Sequence, residues 1–200
     1  MSNDFFKDKA DSYEQVTHRV ANVENIARAV LGSANLKSGM NIMDFGSGTG
    51  LLLEQIAPAV TSITAVDISQ SMNAQLEKKR ADIKCELEII EMDLTQSSLD
   101  RKFDGIISSM TMHHVDDIAA MFEKFHSMLD TGGFIAIADL VTEDGGFHTE
   151  DTGVFHFGFD PDEFLALASD AGFNNVELSV VSTVHKPLAD YPVFLLSATA

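Results

Sequence analysis

Short apolar runs alternate with stretches of helical spacing along most of this chain, and that alternation restricts the fold more than any other feature. Strands are expected near residues 40–45, 62–66, 86–91, 103–109 and 133–140. Their apolar residues leave little solvent face, so they belong in a sheet covered on both sides. Among the intervening stretches, Val16, Val20, Val23, Ile26, Ala27, Val30 and Leu31 fall at helical spacing. Ile118, Met121, Phe122, Phe125, Met128 and Leu129 form a second apolar helix face, with Asp116 or Asp117 placed to cap it. A helix from about residue 49 stops at Pro58. Asp160-Pro161-Asp162-Glu163 starts another, with an N-cap acid and proline at the first position, and Gly172 marks its end. The expected class is α/β, a mainly parallel sheet between helical layers. Two last strands, about 175–181 and 192–198, are joined by a short polar segment. A parallel crossover needs a dozen residues or more, so this pair is antiparallel.

Two hundred residues suit one domain with a full core, and no repeat or linker divides them. Residues 1–200 are therefore taken as a single domain, with 1–35 as a helical cap. No apolar run approaches the ~18 residues of a membrane span. The opening Met1-Ser2-Asn3-Asp4-Phe5-Phe6-Lys7 lacks a basic segment followed by an apolar core. A cytoplasmic protein is expected, with no membrane partner. Thirteen Lys and Arg against 31 Asp and Glu give a net charge of −18, which repels phosphate backbones and argues against a nucleic-acid substrate. The single cysteine, Cys85, allows no internal disulfide. His148, Glu150, Asp151 and His156 match no metal-ligand spacing, so no metal is expected.

The sharpest chemical signal is Ile42-Met43-Asp44-Phe45-Gly46-Ser47-Gly48-Thr49-Gly50, which runs from a strand into a helix. Glycines at 46, 48 and 50 allow a tight turn and close approach of the backbone to a ligand. The following helix should offer unpaired N–H groups to a carboxylate or phosphate. Asp67 ends the second strand about 20 residues further on, where an acid can accept from both ribose hydroxyls. Asp93, after the third strand, lies at the same sheet edge, where it could accept from an adenine amino group. As plain structure, Asp67 would be a helix cap and Asp93 a solvated turn residue.

In this order, these motifs resemble the class I S-adenosylmethionine-dependent methyltransferases. The resemblance extends through Phe103-Asp104-Gly105-Ile106-Ile107-Ser108-Ser109, Leu129-Asp130-Thr131-Gly132-Gly133-Phe134 and Tyr191-Pro192-Val193-Phe194. The opening Phe5-Phe6-Lys7-Asp8-Lys9-Ala10-Asp11-Ser12-Tyr13 is similar to the leader of the small-molecule branch, of quinone-biosynthesis type. The resemblance implies a Rossmann-like sheet of seven strands, order 3-2-1-4-5-7-6, with strand seven antiparallel. It implies S-adenosylmethionine as cofactor, with Asp44 and Gly46 at its methionine amino group and Tyr13 near the same end. Asp67 would take the ribose, and Asp93 and Leu94 the adenine. Ile68 and Met72, both read as helical, would flank the adenine ring or serve as plain core. Ser47, Gly48, Gly50 and Ser109 complete the expected cofactor contacts.

The acceptor is expected to be a small molecule, and the chain a monomer or homodimer. His113, His114 or His156 could serve as general base if the acceptor is an amine or hydroxyl. His114 reads equally well as a structural histidine that pins a loop. Residues 141–159 form a long aromatic connection, expected to close over the site as a mobile cover with the segment around Tyr13. A nicotinamide dehydrogenase would want G-x-G-x-x-G, not the Gly46-x-Gly48-x-Gly50 found here. A non-catalytic cofactor-binding partner or inactive subunit is the remaining alternative.

Overall fold

The structure, a computed structural model, describes residues 4–7, 9–15, 17–148, 150, 152–187 and 189–200. Met1, Ser2, Asn3, Asp8, Val16 and Asp151, named above, lie outside the described residues. The strands form where the apolar runs fall: β1 Asn41–Phe45, β2 Ser62–Asp67, β3 Glu86–Glu91, β4 Phe103–Ser109, β5 Leu129–Leu140, β6 Asn174–His185 and β7 Asp190–Thr199. They make one sheet in the order β3-β2-β1-β4-β5-β7-β6. The pairings from β3 through β5 are parallel, and β7 runs antiparallel to both β5 and β6.

Burial follows strand position. Residues 42–45 of central β1 and residues 134–140 of β5 are buried without a break, as two covered faces require. Edge strand β3 alternates exposed and half-buried residues along most of its length. The helices are α1 Thr17–Ser33, α2 Leu51–Ile56, α3 Gln70–Lys79, α4 Ile118–Ser127 and α5 Pro161–Asp170. On one face Ile26 and Val30 of α1 and Leu53 and Ile56 of α2 pack with Ile42, Ile63, Ile107 and Ala136. On the other, Met121, Phe122 and Phe125 of α4 and Phe164 of α5 pack with Met43, Ile106, Ile135 and Ile137. The faces are divided by the period-two alternation of the strands.

Local signals set the helix starts. Asp117, rather than Asp116, caps α4 by accepting from the Ala120 N–H at 2.9 Å. Asp160 accepts from the N–H groups of Asp162 and Glu163 at 2.9 and 3.1 Å, with Pro161 at the first helical position. Ser69 caps α3 through Met72 N–H at 3.2 Å. Ile68 is therefore not helical, because it precedes that cap. Strand β5 begins at Leu129, earlier than the expected 133, because a register shift between Phe103 and Gly105 lets Leu129 pair with Phe103 ahead of Gly132–Gly133. The carboxyl ends of β1, β2, β4 and β5 share one edge of the sheet, and the site lies there.

Candidate functional site

The turn after β1 is possible only with glycine. Gly46, Gly48 and Gly50 have φ of 68°, 54° and 89°, in the left-handed region. A Cβ on Gly46 would also lie 2.1 Å from Thr111 Cγ2. The amides of the glycines and of Ser47 in this turn are spent inside the chain. Gly46 and Ser47 donate to the Val66 carbonyl at 2.8 and 3.3 Å, and Gly50 to that of Ser47 at 2.8 Å. Gly48 donates to Asp67 Oδ2 at 2.7 Å.

What the turn leaves unpaired is a set of side-chain oxygens. Asp44 Oδ2, Ser47 Oγ, Thr49 Oγ1 and Ser109 Oγ are buried without a hydrogen-bond partner. Asp44 is 1% exposed. Burial, then the nearby charge of Asp67, pushes its carboxyl well above the usual range, and the Leu53 amide offsets this only partly. A buried acid in that condition calls for a cationic donor.

Asp44, Gly46, Ser47, Gly48 and Ser109 line a cavity that encloses about 1140 Å³, its open mouth included. Tyr13, His113 and His114 line it too. Gly50, Asp67, Ile68, Met72, Asp93 and Leu94 are not in its wall; the acids among them lie further along the edge, toward β3. Asp67 accepts from Gly48 and, through Oδ1, from the Ser69 N–H at 2.7 Å. A carboxylate has about four acceptor positions, so two remain. Asp93 Oδ1 accepts from Thr95 N–H and Oγ1 at 2.9 and 2.6 Å. Met72 and Leu94 are buried, whereas Ile68 is 47% exposed.

Three imidazoles gather at the opposite side of the cavity. His113 Nδ1 lies 2.7 Å from Asp139 Oδ1, and its backbone N–H donates to Asp139 Oδ2 at 3.1 Å. Both side chains are buried. The His114 ring centroid is 4.4 Å from that of His113, and its Nδ1 lies 3.3 Å from the Gly153 carbonyl. A carbonyl can only accept, so Nδ1 carries the proton and Nε2 the lone pair. Burial, then His113, lowers the His114 pKa to about 4. The third ring, His148, lies 5.0 Å from His113 and 6.1 Å from His114. Its pKa falls to about 3, through burial first and then the charges of His113, His114 and Lys186. His148 Nε2 is buried and unpaired. His156 does not line the cavity. Its Nε2 donates to the carbonyls of Val115 and Asp116 at 2.9 and 3.2 Å, and its backbone N–H donates to His113. That geometry fastens the loop to the 112–115 turn.

Three cations also line the cavity, Lys9, Arg19 and Lys186. Arg19 stacks 4.3 Å from the Tyr13 ring centroid and donates to the Tyr13 carbonyl at 3.3 Å. Burial raises the Tyr13 phenol despite the opposing charge of Arg19. Lys186 Nζ lies 3.8 Å from the Phe147 ring centroid and donates to the Phe147 carbonyl. Sequence reasoning passed over Arg19, Asp139 and Lys186, and weighed His148 only as a metal ligand. No local motif marks any of them. Among the described residues, no group of three or more His, Cys, Asp or Glu is arranged to hold a metal ion, and no helix is long and apolar enough to cross a membrane.

Residues 14–178 match the family described as Methyltransferase domain. An uncharacterized methyltransferase of Schizosaccharomyces pombe is 30% identical over 159 residues, covering 71% of this chain and 56% of its own length. Malonyl-[acyl-carrier protein] O-methyltransferase 1 of Ilyobacter polytropus is 32% identical over 130 residues, 64% of this chain and 46% of that protein. The chain thus spans about half the length of these relatives. Among solved structures, a chain of the Haloferax volcanii complex between the Trm112 methyltransferase activator and a putative methyltransferase aligns with a TM-score of 0.80 at 17% identity, covering 100% of this chain and 99% of that one. Synechocystis magnesium protoporphyrin IX methyltransferase with bound SAH aligns at 0.67 and 18% identity, over 92% of this chain and 84% of that one. These two likenesses show the shared fold.

Proposed function

Because this chain belongs to the methyltransferase-domain family, we propose that it transfers the methyl group of S-adenosylmethionine to a small molecule held at the histidine side of the cavity. The observation that carries this reading is Asp44, a buried carboxylate with Oδ2 unpaired beside the left-handed glycine turn. An amino acid's ammonium would satisfy it, and pairing would offset the penalty of a buried charge.

The residues present fit the cofactor's other parts as well. Arg19, stacked on Tyr13 in the same wall, is a partner for the methionine carboxylate. The two free acceptor positions of Asp67 suit the ribose hydroxyls, and Asp93 suits the adenine amino group. Half-exposed Ile68 can cover one face of the base, with buried Met72 and Leu94 as the floor behind. Bound there, the cofactor supplies an electrophilic methyl on a sulfonium, open to in-line displacement. The protein's part is to hold the acceptor in line and exclude water, worth roughly 7–11 kcal/mol when positioning is complete.

If the acceptor loses a proton, the His114 Nε2 lone pair is placed to take it. A ring with a pKa of about 4 is a weak base. It takes a proton only as the nucleophile becomes acidic through bond formation. His113, bound to Asp139, orients the cluster from behind, and His156 acts through the loop it fastens. Isothermal titration tests the reading: S-adenosylmethionine and its demethylated product should bind in the micromolar range, about −8 kcal/mol. Heat for NAD and none for either would overturn it. Transfer of labelled methyl into a metabolite extract then separates an enzyme from an inactive subunit.

A further inference from the structure

Building on the methyl-transfer reading, we propose that the acceptor is an anion whose carboxylate or phosphate group docks on the Lys186 ammonium, where Phe147 and His148 form the cavity wall. The argument begins with charge. In a chain of net charge −18, a cation in a cavity wall has no shortage of carboxylates to pair with. Lys9, in the same wall, is bound to Glu150 at 2.7 Å. Lys186 has no carboxylate of the described residues within 4.0 Å. Its ammonium faces the rings of Phe147 and Tyr191, at 3.8 and 5.7 Å from their centroids, and donates to the Phe147 carbonyl. An ammonium has three donors, so the group retains capacity for a ligand. Glu143 is the nearby counter-charge that raises the Lys186 pKa; its Oε2 accepts from the Phe147 amide at 3.0 Å and its Oε1 is buried without a hydrogen-bond partner, beyond ion-pair distance of Lys186.

Topology sets Lys186 apart from the acids that suit the ribose and adenine, although Arg19 is near enough to lower its pKa. From the glycine turn after β1, the acids for ribose and adenine lead outward over β2 and β3. Lys186 follows β6, on the far side of β4, β5 and β7. Arg19 sits with Tyr13, near the methionine end, and answers the single carboxylate that the cofactor brings. Lys186 is left for the second molecule. Its charge would disfavour a cationic acceptor, as would the sulfonium.

The same arrangement links binding to proton transfer. Burial and the nearby Arg19 push the Lys186 pKa down, and Lys186 in turn helps depress His148. An anion on the ammonium relieves the first effect and cancels the Lys186 share of the second. An anionic acceptor would therefore make His148 more basic than it is alone, beside the His114 ring that would take the proton.

The test uses the full chain saturated with the demethylated cofactor and titrated with inorganic phosphate, acetate and succinate at constant ionic strength. At least one probe should bind, and the preferred one distinguishes phosphate from carboxylate. Lys186→Met should weaken that binding about tenfold or more, and Lys186→Arg should restore it to within about threefold. Cofactor affinity should change less than about threefold in both variants. The proposal is overturned if the cofactor expels the anion, since Lys186 then serves the cofactor's carboxylate. It is also overturned if Lys186→Met binds the probes as tightly as the parent chain. Absence of cofactor binding to the parent chain would instead overturn the methyl-transfer reading, and titrating the unliganded chain would still report the anion site.

Discussion

The two sides of the cavity are made of opposite materials. Toward β1 and β2 the cavity is acidic, with buried Asp44 unpaired in the wall and Asp67, beyond the wall, already accepting two backbone amides. Toward β5 and β6 it is imidazole and cation, with His113, His114, His148 and Lys186. On the acidic side, one unbroken stretch of chain supplies Asp44, the turn and the start of α2. On the other side, the groups come from three separate segments: His113 and His114 from the turn after β4, His148 from the connection after β5, and Lys186 from the turn after β6. The acidic side is suited to recognise one fixed ligand. The groups of the basic side lie outside the turn.

The largest effect should come from Asp44→Asn. Truncating one partner of a buried charged pair costs about 2–5 kcal/mol, so cofactor affinity should fall roughly a hundredfold, as read by titration calorimetry. Anion binding to the unliganded protein should stay within about threefold of the parent. Loss of both would show that the two sides are one site. Asp67→Ala should weaken cofactor binding by roughly tenfold to a hundredfold, from charge-assisted hydrogen bonds worth about 1.5–3 kcal/mol. An unchanged dissociation constant would leave Asp67 only as the acceptor that ties Gly48 to Ser69.

That contrast also explains what could be read from the sequence. The parallel sheet rests on a periodic burial pattern and the antiparallel last pair on a short connection, both local; the strand order follows from the family resemblance, and the structure has the same order. Asp44 and the glycines are neighbours along the chain, so their chemistry is legible as a motif. The partners of the Gly46 and Gly48 amides are not, because they are Val66 and Asp67 on the next strand. Asp139 reads as one polar residue in an apolar strand, and only the fold brings His113 to it across 26 positions. His156 is a pocket candidate because Phe155-His156-Phe157-Gly158-Phe159 resembles an element of the small-molecule branch. Its ring instead turns toward backbone carbonyls, which no spacing rule reveals. Lys186 follows a strand in a polar turn and carries no pattern at all.

A smaller effect concerns pH. His114 and His148 sit well below the ordinary 6.5, at about 4 and about 3. Between these values and 6.5 the unfolded chain binds more protons than the folded one. Their contribution to stability is therefore present above pH 6.5 and is lost as pH falls toward 4. Both rings are partly exposed, so the full shifts overstate the effect. His148→Gln should flatten the acid limb of a plot of Tm against pH by about 2–4 °C, the change that about 1 kcal/mol makes in a domain of this size. If the variant's acid limb matches the parent's, the imidazole cluster is more hydrated than its burial implies.

The smallest effect should appear in the segments that lie over both sides at once, which we propose act as the cover. Residues 141–159 are closed at their base by the pairing of Val141 with Phe159 and held in the middle by the Phe155 and His156 amides on the His113 carbonyl. The N-terminal segment is moored by Asp4, which accepts from Ser69 Oγ at 2.8 Å and Ser71 N–H at 3.2 Å. Phe6 places its ring 5.8 Å from His114 and 6.4 Å from Tyr13, and the Lys9–Glu150 pair at 2.7 Å joins the two segments. Neither segment has the continuous hydrogen-bond ladder of a strand, so both should open more easily than the sheet. Methyl transfer needs water kept out, which gives a reason to close them. Hydrogen exchange with and without the demethylated cofactor should show added protection near residues 9–15 and 147–157, and less in β1 and β4, which are already protected. Lys9→Ala should reduce the gain in both segments together, because the ion pair is their link, by an amount near that of an exposed pair, about 0.2–1 kcal/mol. Equal exchange in the two states would make these segments fixed walls. A gain in only one would mean that each side of the cavity closes on its own.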